Sequence, residues 1–305
     1  LREAKDSSAI ENIITTHDEL YKSELNLKSI RSLEAKEVQN YVAALKHGFS
    51  QVTEQEVLTN RIIKEIQGTL EKNQAGFRKL PGTSLKNAVT GEIIYTPPQD
   101  SGQINLLMDT LERYMNTPDL SDYDPLVKMA IIHFQFESIH PFYDGNGRTG
   151  RIINILYLIL NQLLELPILY LSSFIIEHKS DYYRLLQQVR DTNEWEDWIL
   201  FMIRGIKETS KATIDQIKGI KSQMQVMKNR LRDNYKFYSQ DLLNNLFKHP
   251  YTKIDFLEKE LQVSRITAAN YLNQLAEDGI LRKEKLGTSN YYINDPLFEL
   301  LSGGS

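Results

Sequence analysis

The sequence predicts a mainly α protein with one short β-ribbon inside it and a small mixed helix-and-strand module at its end. Two observations carry that prediction. Apolar residues recur at three-and-four spacing through most of the chain up to about residue 231, and alternation displaces that pattern only between about 80 and 95.

Taken in order, Glu3 to Asn12 reads as a short helix, with Ser8 and Glu11 spaced as a capping box. Helical patterns follow at about Leu33 to Phe49 and Glu54 to Thr69. Leu80 to Leu85 and Glu92 to Tyr95 read as two strands around the turn Asn87 to Gly91, closed by Pro97 and Pro98. A lone ribbon exposes unpaired edges, so it is either a connector or a flap that pairs with an extended peptide. Helices are expected again at Ile104 to Asn116 and Pro125 to Ser138, then from about Asn146 until Pro167 breaks the run. Ser180 to Val189, Glu194 to Ile203 and a long connecting helix, Ile206 to Leu231, come next. The last part offers helices at Thr252 to Leu261 and Arg265 to Ala276, then strands at Ile280 to Lys283 and Asn290 to Ile293 around Gly287-Thr288-Ser289.

Composition bounds the class. With 305 residues, 41% hydrophobic and 25% charged, the chain has room for one large domain and a smaller one. It contains no cysteine, which excludes disulfides, thiol catalysis and cysteine metal sites. Leu1 to Leu20 lacks the basic-then-apolar order of a signal peptide, and the most apolar window, Ile152 to Leu171, is broken by Asn154, Asn161, Gln162 and Glu165. A cytoplasmic protein with no membrane partner is expected. A net charge of −4 gives no general attraction to nucleic acid.

The chemistry concentrates in His140-Pro141-Phe142-Tyr143-Asp144-Gly145-Asn146-Gly147-Arg148-Thr149-Gly150-Arg151. Its glycines let backbone N–H groups approach a ligand closely, and the helix that follows places a positive N-terminal end there, a site for anions. Arg148 and Arg151, three apart, add forked donors for phosphate oxygens. His140 is a base of suitable pKa, and Asp144 is a hard ligand for Mg²⁺. No lysine follows the glycines, so this is not a Walker loop.

The twelve residues resemble the signature of Fic domain proteins, H-x-F-x-[DE]-G-N-G-R-x-x-R, at all eight specified positions. Glu37 to Tyr41, the ribbon ending at Pro97-Pro98, Leu169 to Ser172 and Tyr182-Tyr183 resemble that family's surroundings over roughly Leu1 to Ile206. The resemblance implies a Fic-type helical bundle with a β-hairpin flap that transfers AMP from ATP to a Ser, Thr or Tyr hydroxyl of a target protein, itself included. By position, His140 is then the general base, Phe142 a core anchor and Asp144 the Mg²⁺ ligand. Gly145, Asn146 and Gly147 form an anion hole, and ATP binding continues through Arg148, Thr149, Gly150 and Arg151, with Tyr182 and Tyr183 by the adenine. Thr83, Ser84 and Leu85 in the flap align the target. Ser7-x-x-x-Glu11-Asn12 matches the family's inhibitory motif, which implies that Glu11 pairs with Arg151. Removal of AMP, with Glu11 positioning a water, is the same site's alternative reaction.

The last part resembles a winged helix-turn-helix, whose second helix enters a DNA groove in some proteins. Residues 251–305 carry six basic against eight acidic side chains, so protein contact or a homodimer is favoured over DNA, and a DNA-binding regulator is the competing reading. The expected division is 1–20 inhibitory helix region, 21–205 Fic catalytic domain, 206–234 connecting helix and 235–305 winged-helix module.

Overall fold

The computed structural model describes residues 1–24, 32–86, 90–286 and 289–303. The tip of the expected turn at 87–89, the loop residues Gly287 and Thr288, and the last two residues lie outside them. No helix among the described residues is long and apolar enough to cross a membrane.

The first compact unit comprises Leu1, Glu3–Thr16 and Ser32–Ser210. Its helices are α1 (Arg2–Ile10), α3 (Leu33–Gln55), α4 (Asn60–Glu71), α5 (Ser101–Asn116), α6 (Pro125–Ile139), α7 (Asn146–Leu160), α8 (Leu171–Glu177), α9 (Lys179–Thr192) and the first part of α10 (Glu196–Asn234). At the centre stands α7, buried at Ile152, Ile153, Ile155, Leu156, Tyr157 and Leu158 and packed against α3, α4 and α6. Apolar residues all round its circumference mark a helix enclosed on every side. The break expected between Phe49 and Glu54 falls later: α3 runs on to Gln55, Glu56 turns left-handed at φ 53° and ends it, and the Thr59 side chain accepts from Ile62 N at 3.3 Å to start α4. The expected break before Ile206 does not occur: α10 runs through it, and Gly205 allows a close approach there, since an added Cβ would lie 2.6 Å from the Phe174 ring.

The ribbon is shorter than the alternation suggested. β1 is Leu85–Lys86 and β2 Ile93–Tyr95, antiparallel, with Leu85 opposite Tyr95. Residues 80–84 form no ladder, since Pro81 has no N–H to give and Gly82 turns at φ 112°. Gln99 closes this base instead, accepting from Gly82 N at 2.7 Å and donating to Thr83 O at 2.9 Å.

The second unit comprises Arg2, His17–Arg31 and Lys211–Ser305, each stretch as far as it is described. The second part of α10 therefore belongs to this unit rather than standing apart as a connector. α11 (Gln240–Lys248), β3 (Tyr251–Thr252), α12 (Ile254–Leu261), α13 (Arg265–Glu277), β4 (Arg282–Leu286), β5 (Ser289–Ile293) and α14 (Asp295–Ser302) follow, with an antiparallel sheet in the order β3-β5-β4. Met227, Leu231, Leu243, Leu257, Leu272, Leu275 and Tyr292 share its core. α2 (His17–Glu24), which the expected division splits between the inhibitory region and the catalytic domain, packs here: Tyr21 meets the rings of His249, Tyr251 and Phe298, and Tyr251 donates its hydroxyl to Asp18. Residues so far apart in sequence gave no periodic sign of that meeting.

Candidate active site

Two helix ends build the site. α6 ends at His140, whose own backbone is left-handed, φ 49° and ψ 58°. α7 begins after Gly145, left-handed at φ 76°, and no side chain caps its N-terminus, so its first N–H groups keep their affinity for an anion. Asn146 closes the loop between them as a two-way clamp, accepting from Phe142 N and donating to Phe142 O, both at 2.9 Å. Phe142 is fully buried against Phe77 and Phe136. Gly145 serves the turn and also a close approach: a Cβ there would meet the Glu71 carboxylate. A Gly145→Ala protein is expected to lose about 1–3 kcal/mol of stability, and an unchanged denaturation midpoint would contradict that account.

The imidazole of His140 is partly buried, and its Nδ1 has no hydrogen-bond partner among the described residues. Burial, helped by the Arg78 charge, pushes its pKa down to about 4, so the ring is neutral at physiological pH and ready to accept a proton. Asp144 is exposed beside it, with Oδ1 accepting from Gly145 N at 2.7 Å. One hard carboxylate of this kind fits Mg²⁺, which keeps several waters and takes its other ligands from nucleotide phosphates.

Arg151 is 2% exposed and surrounded by α1. Its Nε donates to Ser7 Oγ at 2.7 Å, and its Nη2 donates both to Ser7 O and to Glu11 Oε1 at 2.9 Å. The Glu11 carboxylate also covers Gly147, where an added Cβ would meet it together with Arg151. A carboxylate thus lies over the first turn of α7, at the position where the sequence called for phosphate. Burial pushes the Glu11 pKa up, but the Arg151 guanidinium outweighs it and holds the group below the usual range, so Glu11 is ionised. Asn12 follows at φ 64°, a conformation Gly and Asn tolerate best, which is the physical sense of the last motif position. The capping-box reading of Ser8 and Glu11 fails: α1 starts at Arg2, Ser8 lies buried in its middle, and Glu11 stands at its C-terminal end. α1 is anchored at both ends, by Glu3 accepting from Ser172 N at 3.0 Å and by Lys179 Nζ donating to Ile10 O at 2.6 Å.

Several expected nucleotide contacts are placed elsewhere. Arg148 turns away from Arg151 and is held between Glu37 Oε2 at 2.9 Å and Glu71 Oε1 at 2.7 Å, which leaves neither terminal nitrogen free of a carboxylate. Thr149 is wholly buried, and Gly150 lies at the α6–α7 crossing, where a Cβ would come within 2.7 Å of Glu137 and 3.1 Å of Phe136. Tyr182 is in the core, bonded through its hydroxyl to His133 Nε2 at 2.8 Å and packed on Trp198; that burial takes it out of reach of a base, whereas Tyr183 is half exposed. In the flap, Thr83, Ser84 and Leu85 are each partly exposed.

Four residues that the sequence did not single out complete the site. Gln67 donates to Asp144 O at 3.2 Å. Tyr143 accepts on its hydroxyl from Lys79 N at 3.0 Å and Leu80 N at 3.1 Å, pinning the approach to the flap. Glu137 is buried with Oε1 lacking a hydrogen-bond partner among the described residues, and burial pushes its carboxyl up to about 7. Arg78 is buried beneath the loop. Only spacing could have pointed to any of them, since Glu137 stands one helical turn before His140 and Arg78 just ahead of the flap.

Three family models match the chain: Fic/DOC family N-terminal over residues 1–50, Fic/DOC family over 56–158, and the C-terminal domain of protein adenylyltransferase SoFic-like over 222–297. Over 56 residues the chain is 41% identical to the Protein adenylyltransferase Fic of Drosophila erecta and to that of Drosophila melanogaster. That stretch is 18% of this chain and 11% of the erecta relative, so the chain matches about a tenth of the length of such proteins. A Fic family protein from Desulfovibrio desulfuricans G20 has a similar structure, with a TM-score of 0.59 and 21% identity over 96% of this chain and 86% of that one. A Fic domain containing signaling protein from Bacteroides thetaiotaomicron VPI-5482 aligns with a TM-score of 0.56 and 19% identity over 70% of this chain and 84% of its own. These two likenesses concern the fold.

Proposed function

Because the chain is a Fic domain protein, we propose that it is a protein adenylyltransferase held off by its own α1, transferring AMP from ATP to a hydroxyl of a target protein or of itself. The observation that carries this reading is a neutral His140 at the end of α6 beside an uncapped α7 N-terminus whose Arg151 is occupied by Glu11.

In the transfer, the target hydroxyl attacks the α-phosphorus while His140 takes its proton, and the bond to the β-phosphate breaks to release pyrophosphate. The N–H groups at the start of α7 and Arg151 stabilise charge on the phosphates once Glu11 has left. Asp144 would hold Mg²⁺, which would supply neutralisation of the phosphate charge. The flap aligns the target by main-chain pairing along β1, with Thr83, Ser84 and Leu85 at its entry. Ile93 and Ile94 on β2 are both exposed and, as neighbours on a strand, put one apolar side chain on each face of that flap.

The second unit is proposed to contact protein rather than DNA, a second copy of this chain included. At the start of α13, Arg265 is already bound by Asp255 and lies 3.8 Å from Glu258, so it is not free for a phosphate backbone. A gel shift with random-sequence duplex at about 150 mM salt is expected to show no complex, and a salt-sensitive shift would favour the regulator reading.

The reading is tested by incubating the protein with ATP labelled at the α-phosphate and Mg²⁺, alone and with cell lysate, and identifying AMP-bearing residues by mass spectrometry. The pH profile tests the base. The rate should rise with pH along an acid limb centred near 4 and stay flat from about 6 to 8, since a neutral His140 is the active form. Removing Glu11 takes away a negative charge that favours the imidazolium, so in a Glu11→Gly protein the limb moves lower still. A limb centred at or above the free-histidine value of about 6.5 would contradict the assignment.

A further inference from the structure

Arg78 is 1% exposed, yet none of its hydrogen bonds goes to a carboxylate among the described residues. It is bonded to carbonyls. Its Nε donates to His140 O at 2.8 Å, its Nη2 donates to Ile139 O at 3.3 Å and to Pro98 O, and its backbone N–H donates to Pro141 O at 2.8 Å. Ile139 and His140 are where α6 stops, so two of these oxygens have lost their helical partners and lie at the negative end of the helix dipole. A planar guanidinium with fixed donors can bridge several such oxygens, which an ammonium on a flexible stem does less well.

Two features make this more than a cap. His140 occupies the left-handed region, which a residue with a bulky side chain enters only when its surroundings hold it there. Pro98, on the far leg of the hairpin, precedes Gln99, the residue that clamps the near leg at Gly82 and Thr83. One buried guanidinium therefore joins the backbone of the histidine to the base of the flap.

We propose that Arg78 is a positioning residue for the transfer reaction: it fixes His140 in its left-handed conformation and ties the flap to the same point, so that base and acceptor hydroxyl keep one register. The proposal rests on the adenylyltransferase reading for its consequence in catalysis, but the positioning itself is measurable without turnover. Arg78 is bonded to main-chain carbonyls and acts through the backbone on either side of the loop.

The test uses the full chain with ¹³C-labelled histidine. The His140 signal is identified by its loss in His140→Ala. Arg78→Lys keeps the positive charge and gives up the fork, and Arg78→Gln gives up both. In both variants the His140 signal is expected to shift or split while that of His133, buried in the core, stays in place. On a Glu11→Gly background, kcat is expected to fall about 100-fold, the scale of a 1 Å misplacement, with KM for ATP within threefold of the parent. An unmoved His140 signal in a folded variant overturns the proposal whether or not the parent transfers AMP, and so does full recovery of kcat by lysine. A failed AMP-transfer assay with a displaced His140 signal instead counts against the functional reading. Should neither variant fold, the ¹⁵N-labelled wild-type protein decides. A slowly exchanging Arg78 Nε–H coupled through its hydrogen bond to the His140 carbonyl carbon is the expected result, and exchange as fast as that of an exposed arginine is the overturning one.

Discussion

Glu11→Gly protein, supplied with labelled ATP and Mg²⁺, is expected to modify itself and added protein at least about tenfold faster than the parent at low ATP. The magnitude follows from what the substitution removes. Glu11 accepts from Arg151 at 2.9 Å, and its side chain is 37% exposed while Arg151 is buried. A hydrogen bond between charged groups is worth about 1.5–3 kcal/mol, and partial exposure puts this one at the lower end, where about 1.4 kcal/mol corresponds to tenfold in affinity. The carboxylate also vacates the space over Gly147, so the gain has a steric component that the ion pair alone does not measure. If Glu11 and the nucleotide compete for Arg151, as the proposal requires, the advantage of the variant should narrow as ATP rises. A Glu11→Gly protein no faster than the parent across that range would remove the case for inhibition.

His140→Ala, introduced into that released protein, is expected to lower the rate by about 100-fold to 10,000-fold, the range of a general base, and to leave nucleotide binding nearly unchanged. The side chain is only partly buried and its Nδ1 supports no hydrogen bond among the described residues, so its loss should cost little stability. The backbone conformation it leaves behind is left-handed, which alanine tolerates no better than histidine, so the loop is not relaxed by the change. The check is a single-turnover rate together with a fluorescent-ATP titration. A rate within tenfold of the released parent would mean that another group takes the proton.

The helices and their order were legible in the sequence because most bury one apolar stripe, and α7 because it is apolar on every side. Local chemistry gave the start of α7, because glycines ahead of a long apolar run mark where a helix begins. What could not be read were partners that meet only in space. Arg148 and Arg151 look equivalent on a helical wheel, yet Glu37 and Glu71 claim one and Glu11 the other. Ser8 and Glu11 match a capping box in spacing alone, since they lie at the C-terminal end of the helix, where no such box can form. Tyr182 and Tyr183 are neighbours with opposite environments, since one faces Trp198 and the other the outside. Arg78 carried no signal because its partners are carbonyl oxygens, which every residue supplies.

The carboxylate lying over the first turn of α7 belongs to the same chain as the site it covers. Its local concentration is therefore set by the tether and stays the same however dilute the protein becomes, unlike that of a separate inhibitor. On the adenylyltransferase reading proposed above, ATP would titrate against a constant opponent. The fraction of released molecules would then follow the nucleotide level, and a cell making more of this protein would change the number of such detectors without moving the ATP concentration at which each one opens.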